Sequence, residues 1–172
     1  MSEYTPAYGD LGIISSGGFM ARVIQIGTIS RWNHVFIYVG NQMIVEATPK
    51  GVVLSPISDY KDSVIVWNKH QVWENEEVNR DFIVTEAHKL LDLPYNWTNI
   101  VRIVFRSLGL KVLANTNLMK RLAKKDGYIC SELGEELYSK SGNPFTNKEP
   151  GLVSPGDLIM AVVLRNAYPC YE

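Results

Sequence analysis

A chain of 172 residues, 46% hydrophobic and 20% charged, has the makeup of one globular domain that can bury a core without disulfide or metal staples. Its net charge of −1 excludes a global electrostatic pull toward nucleic acid or anionic membranes, so any such contact has to be local. Cys130 and Cys170 are the only cysteines, too few for a secreted disulfide scaffold.

The opening residues carry Glu3 and no basic residue, which does not resemble an export signal, and a reducing, cytoplasmic setting is the expectation. The longest apolar region, 100–113, is interrupted by Arg102, Arg106 and Lys111 and makes a poor membrane span.

In chain order, Gly9-Asp10-Leu11-Gly12 opens a short strand over 11–14. Phe19, Val23 and Ile26 recur at helical spacing and predict a helix over 19–26. Residues 35–39 are β-branched and aromatic. With Gly40-Asn41 as a two-residue turn and 43–48 as the return, they predict a hairpin. Two further strands follow over 52–57 and 64–67. From residue 74 the pattern turns helical, with helices expected over 79–91 (stopped by Pro94), 96–108 and 114–125. Another runs over 130–138, with Cys130, Leu133 and Leu137 on one face and Gly142-Asn143-Pro144 at its end. Ser154-Pro155-Gly156-Asp157 reads as a turn before a closing strand over 158–164. Strands grouped ahead of helices predict an α+β fold, an antiparallel sheet with helices on one side.

Three polar residues stand out against this frame. Cys130 falls at a predicted helix start, where unpaired backbone N–H groups and the helix dipole favour a thiolate and can bind an oxyanion. His34 opens a strand. Glu46 is a carboxylate inside the apolar run Met43-Ile44-Val45-Glu46-Ala47. A turn at Gly40-Asn41 sets His34 opposite position 47, one residue from Glu46, and a small bulge brings both to one face. A carboxylate behind an imidazole fixes its tautomer and favours the imidazolium, which in turn favours a thiolate. Each residue also has a plain reading: Cys130 as a core cysteine, His34 as a strand cap, Glu46 as an edge charge against aggregation. Spacing alone leaves both readings open.

The segments Arg22-Val23-Ile24-Gln25-Ile26-Gly27-Thr28-Ile29-Ser30-Arg31-Trp32-Asn33-His34-Val35, Ile44-Val45-Glu46-Ala47 and Ile129-Cys130-Ser131-Glu132-Leu133 together resemble the circularly permuted NlpC-like cysteine hydrolases, the YiiX-like branch especially. That superfamily also includes the lecithin retinol acyltransferase relatives. The histidine strand precedes the cysteine helix, as in the permuted members, and Gly9-Asp10 and Pro94-Tyr95-Asn96 match further family elements. The resemblance covers residues 9–160.

It implies a papain-like fold, a small antiparallel sheet packed against the helix that carries the cysteine. It also implies Cys130 as nucleophile, His34 as general base and Glu46 as the third polar residue of a cysteine hydrolase acting through a thioester. The NlpC-like relatives imply an amide or peptide bond as target, cell-wall peptide included; the lipid-processing relatives imply an acyl ester or lipid amide. Asn33 stands where Ser is common and Asn96 where Asp is common. The link from Tyr95 to Cys130 exceeds the usual one by about two helical turns.

That extra length makes a basic helical insertion at 97–126, carrying Arg102, Arg106, Lys111, Lys120, Arg121, Lys124 and Lys125. It reads either as a packed helix with a solvated face or as a lid or surface helix contacting anionic lipid, a polyanion or a partner. Nucleic acid is disfavoured, since no aromatics interleave these charges. Tyr95 is a candidate to line the pocket or donate a hydrogen bond near the thiolate, beside its reading as a core tyrosine. His70 and His88 fit no metal motif, and Gly17-Gly18 lacks the Gly-Lys-Ser/Thr ending of a phosphate loop, so no metal or cofactor is expected. The rival to an enzyme is a binding module that uses the basic segment as its working surface.

Overall fold

The computed structural model describes residues 4–17, 25, 30–68, 78–114, 116–123 and 127–167. Five strands, β1 (Leu11–Ile14), β2 (His34–Gly40), β3 (Met43–Thr48), β4 (Gly51–Pro56) and β5 (Ile65–Trp67), form one antiparallel sheet in the order β4-β3-β2-β1-β5. Six helices follow: α1 (Arg80–Lys89), α2 (Trp97–Ser107), α3 (Lys111–Ala114), α4 (Asn117–Ala123), α5 (Cys130–Lys140) and α6 (Pro155–Ala167). The architecture is α+β, a small antiparallel sheet with the cysteine helix packed on it. The predicted helix over 19–26 lies, but for residue 25, outside the described residues.

Strand β2 is buried on both faces, as its unbroken apolar run requires. Val35, Ile37 and Val39 join Leu11, Ile13, Val45 and the α5 residues Leu133 and Leu137 in the main core. Phe36 and Tyr38 join Ile14, Ile44 and Trp67 on the opposite face. Gly134 lets α5 approach this sheet closely, since a Cβ there would come within 2.7 Å of Leu11 Cδ1 and 3.2 Å of Val35 Cγ1. The far end of α5 is pinned by Tyr138, whose hydroxyl donates to the Gly9 carbonyl (2.8 Å) and accepts from Asn68 Nδ2 (2.7 Å).

The hairpin turn falls one residue later than expected. Asn41 and Gln42, both at positive φ (52° and 60°), are its central residues, and Gly40 pairs with Met43. Carried straight on, that register would put Glu46 opposite Ile37, on the helix side. The register instead shifts between Tyr38 and Gly40, with Val39 as the extra residue, and Phe36 pairs with Glu46. His34, two residues before Phe36, therefore shares a face with Glu46.

Two expectations are corrected. The single helix expected over 114–125 is two short ones, α3 and α4, with Thr116 Oγ1 accepting from the Met119 N–H at the start of the second (3.3 Å). The closing strand expected over 158–164 is instead part of α6. Ser154 Oγ accepts from the Asp157 N–H (3.2 Å), and the Asp157 carboxylate accepts from the Ser154 N–H (2.9 Å). With Pro155 at the first helical position, this reciprocal cap starts a helix. Leu158, Ile159 and Val162 then point to the core at helical spacing.

Candidate active site

The β2–β3 hairpin carries the acid and the base. His34 Nε2 lies 2.5 Å from Glu46 Oε2. The same carboxylate oxygen accepts from the Tyr60 hydroxyl at 2.6 Å, presented by the 3-10 turn Ile57–Tyr60. The Tyr60 ring stacks on Phe36 (centroids 5.6 Å apart) and covers the imidazole (5.7 Å). Burial alone would push the Glu46 carboxyl up. Hydrogen bonds from His34, Ser55 and Tyr60, with the attraction of His34, outweigh it and hold Glu46 below its ordinary value.

Cys130 is the first residue of α5 and is buried, its Sγ 3.9 Å from the Asn33 carbonyl oxygen. Asn33 directly precedes His34, so the thiol lies beside the histidine's entry into β2. Burial pulls the imidazole toward neutrality, but the hydrogen bonds and charges of Cys130 and Glu46 prevail and raise His34 to about 10. The fold brings His34 and Glu46 into direct contact on the hairpin and sets Cys130, at the head of α5, against Asn33.

Asn33 holds the histidine's entry. Its N–H bonds the Ile14 carbonyl (3.1 Å). Its Oδ1 accepts from Ser16 Oγ (2.8 Å) and the Ser16 N–H (3.2 Å), while its Nδ2 donates to the Ser16 carbonyl (2.9 Å). Those bonds tie the end of β1 to the start of β2.

Behind Cys130, Glu132 accepts from the Ile129 N–H (3.3 Å), which fixes the chain entering α5. Both Glu132 oxygens also accept from Asn99 Nδ2 at 2.9 Å. Asn99 Oδ1 in turn accepts from Arg102 (3.1 Å), which also donates to the Ala114 carbonyl (3.2 Å) and contacts Glu149 (3.4 Å). Burial raises Glu132 to about 7 against the opposing bonds from Asn99 and Ile129. Arg102 is only 1% exposed and so cannot belong to the exposed basic face expected of it; its charge is spent inward on Asn99, Ala114 and Glu149. Arg106 is half-buried and Arg121 exposed, while the side chain of Lys120 and residues 124 and 125 lie outside what is described.

Tyr95 is half-buried, its backbone bridged to Tyr128 and its ring set edge-on to Trp97 (4.9 Å). Burial and the nearness of Cys130 both oppose its ionisation. A narrow cleft lies beside the thiol, lined by Ile100, Ile103, Val104, Ile129, Cys130, Ser131 and Pro155. Its walls are almost wholly apolar. Among the described residues no group of three His, Cys, Asp or Glu side chains is placed to hold a metal ion. Tyr60, Asn99 and Glu132 were not singled out from sequence. Tyr60 carries no motif, but Glu132, three residues after Ile129, was legible as the acidic partner at a helix start.

No family model matches the chain. It is 26% identical over 172 residues to the probable lipoprotein peptidase YaeF of Escherichia coli (strain K12), a match covering 88% of this chain and 62% of that protein. The chain thus spans under two thirds of that relative's length. The peptidase class in the relative's name is the class that the NlpC-like resemblance of the His34, Glu46 and Cys130 segments implies. Among solved structures, that of the metalloprotein YiiX from Escherichia coli O157:H7 aligns with a TM-score of 0.49 and 19% identity, over 91% of this chain and 93% of that one.

Proposed function

We propose that the chain is a cysteine peptidase or amidase of the permuted NlpC-like kind, with Cys130 as nucleophile, His34 as base and acid, and Glu46 as the group that orients His34. The observation that carries this reading is a half-buried imidazole bonded to a carboxylate with a second donor, Tyr60, and set beside the head of a helix bearing a thiol. With Nε2 engaged by Glu46, Nδ1 is the nitrogen left for the thiol.

The chemistry follows from those positions. The Cys130 sulfur, its proton passed to Nδ1, attacks the substrate carbonyl carbon. The oxygen that becomes negative is received by backbone N–H groups at the head of α5, which have no intrahelical partner. Nδ1–H then protonates the departing amine, and a thioester remains on Cys130. Water gives a proton to Nδ1 and attacks the thioester, releasing the acid and the thiol. Glu46 keeps Nε2 protonated throughout and offsets the charge on the imidazolium.

The peptidase named among its relatives supports an amide or peptide substrate. A second reading, an acyl hydrolase or acyltransferase on lipid-like substrates, is favoured by one feature, the apolar cleft beside the thiol.

The discriminating experiment is alkylation of Cys130 by iodoacetamide at neutral pH in a Cys170→Ala background, followed by mass spectrometry. Cys130 should react, and His34→Ala should slow the reaction by about 10²-fold, the low end of what a positioned general base contributes. An inert Cys130 in folded protein, or a rate indifferent to His34, would sink the proposal and leave a binding module in its place. Release of product from peptide or from acyl-ester substrates then separates the two readings.

A further inference from the structure

Helix α2 buries two polar side chains beside one apolar one, Ile103, and leaves an apolar stripe outward. Its polar side faces the protein: Asn99 and Arg102, one turn apart, are each 1% exposed and hydrogen-bonded to α5 and to Glu149. The apolar stripe faces away. Trp97, Val101 and Leu108 are 47%, 40% and 60% exposed and, with half-buried Val104 between them, form one stripe at spacings of four, three and four. Past the helix end Leu110, Val112, Leu113 and Leu118 are exposed as well. An amphipathic helix normally buries this side, because each such residue left in water forgoes about 1.5–3 kcal/mol of transfer free energy. A clustered apolar surface of this kind marks a place of contact.

The charges around it select the contact. Residues 93–125 include seven Lys and Arg and no Asp or Glu; with Arg102 turned inward six remain, of which Arg106 is half-buried and Arg121 exposed. A second copy of the chain would set this basic segment against itself. An anionic bilayer surface instead accepts apolar side chains into its acyl boundary and attracts the basic ones to its headgroups. Among the described residues no helix is long and apolar enough to cross a membrane, so the contact would lie in the interface plane.

We propose that α2, α3 and α4 form an interfacial docking surface for anionic lipid bilayers, with Trp97, Val101, Leu108 and Leu118 entering the acyl boundary and Arg121 at the headgroups. Val104 belongs both to this stripe and to the lining of the cleft beside Cys130, so docking would bring the bilayer to the edge of that cleft.

The test is co-sedimentation of the full chain with vesicles of phosphatidylcholine alone and with one third phosphatidylglycerol. Cys130→Ala protein is used, so that binding is read without turnover and its outcome is independent of the thiol experiment. The chain should sediment with the anionic vesicles and far less with the neutral ones. Val101→Asp combined with Leu108→Asp should weaken this by about tenfold or more, since apolar burial in the boundary is lost. Arg121→Glu should weaken it by about fivefold or more, on the order of 1 kcal/mol per basic residue at such a surface. If the double variant does not keep the parent's circular dichroism, Val101→Ser with Leu108→Ser replaces it. No sedimentation of the parent, equal affinity for neutral vesicles, or undiminished sedimentation of the folded double variant each overturns the proposal. So does a concentration-dependent dimer in sedimentation velocity that the double variant abolishes while vesicles go unbound, which assigns the surface to a second copy.

Discussion

Glu46 is a carboxylate at 3% exposure in the middle of an apolar strand, a position that ordinarily costs several kcal/mol unless the charge is paired. Its two short contacts, with His34 and Tyr60, meet on one oxygen, Oε2. A neutral amide in its place could still hydrogen-bond but would no longer attract a positive imidazole. Glu46→Gln is therefore expected to slow iodoacetamide alkylation of Cys130 at neutral pH by about 10²-fold, comparable with loss of the base itself. Tyr60→Phe removes one hydrogen bond to a charged group, worth about 1.5–3 kcal/mol, and leaves the carboxylate in place. Its effect should be smaller, about tenfold. Equal rates for Glu46→Gln and the parent would show the carboxylate to be a structural partner of Tyr60 and no part of the thiol's activation. Glu46 was legible in sequence because a charge in an apolar run is conspicuous. Tyr60 was not, because its reach to that charge depends on how β4 returns beside β3.

At the scale of elements, the head of α5 rests on Glu132, which fixes Ile129 and receives Asn99. Burial raises this carboxyl from 4.5 to about 7, so the folded protein holds a proton there that the unfolded chain releases at lower pH. The stabilisation linked to it is fully present below about pH 4.5 and is lost as pH rises through about 7. Asp10, raised to about 6 chiefly by burial, contributes in the same direction over a lower window. Urea midpoints of the parent should therefore fall between pH 4.5 and 7, and Glu132→Gln should make that fall shallower, leaving the parts due to Asp10, half titrated at pH 6, and to His34, whose contribution begins to fall near 6.5. A slope unchanged by Glu132→Gln would place the titration elsewhere.

The elements themselves were read from sequence unevenly. The hairpin was visible as two apolar runs around a glycine, yet its turn sits at Asn41-Gln42, and the bulge at Val39 that brings Glu46 to the histidine's face has no local signature. Helix α6 was taken for a strand because residues 158–164 are apolar and partly β-branched, a run too short for periodicity to decide. The deciding signal was Ser154-Pro155-Gly156-Asp157, which is helix-capping chemistry as much as turn chemistry.

At the scale of the whole molecule, the sequence of α2 declares an amphipathic helix but cannot say which side faces inward. That is decided by partners far along the chain: Glu132, 33 residues from Asn99, and Glu149, 47 residues from Arg102. The usual expectation for such a helix, apolar stripe to the core and arginines to water, is met by Ile103 but reversed at Asn99 and Arg102, which meet hydrogen-bonding groups of α5 and of the segment around Glu149. Stability should register this reversal. Arg102→Met leaves the Ala114 carbonyl and Asn99 Oδ1 without their guanidinium donor, and should cost about 1–3 kcal/mol in urea unfolding. Glu149 is largely exposed, so it is returned to water and adds little to that cost. Val101→Ser, one residue earlier, should cost less, about 1 kcal/mol or under, as expected for a side chain 40% exposed and free of hydrogen bonds. The pair forms a direct comparison on one turn of helix, where an ordinary amphipathic packing gives the opposite ranking. If Val101→Ser is the more damaging, the stripe is covered within the protein, and its role as a contact surface falls with the reversal that motivated it.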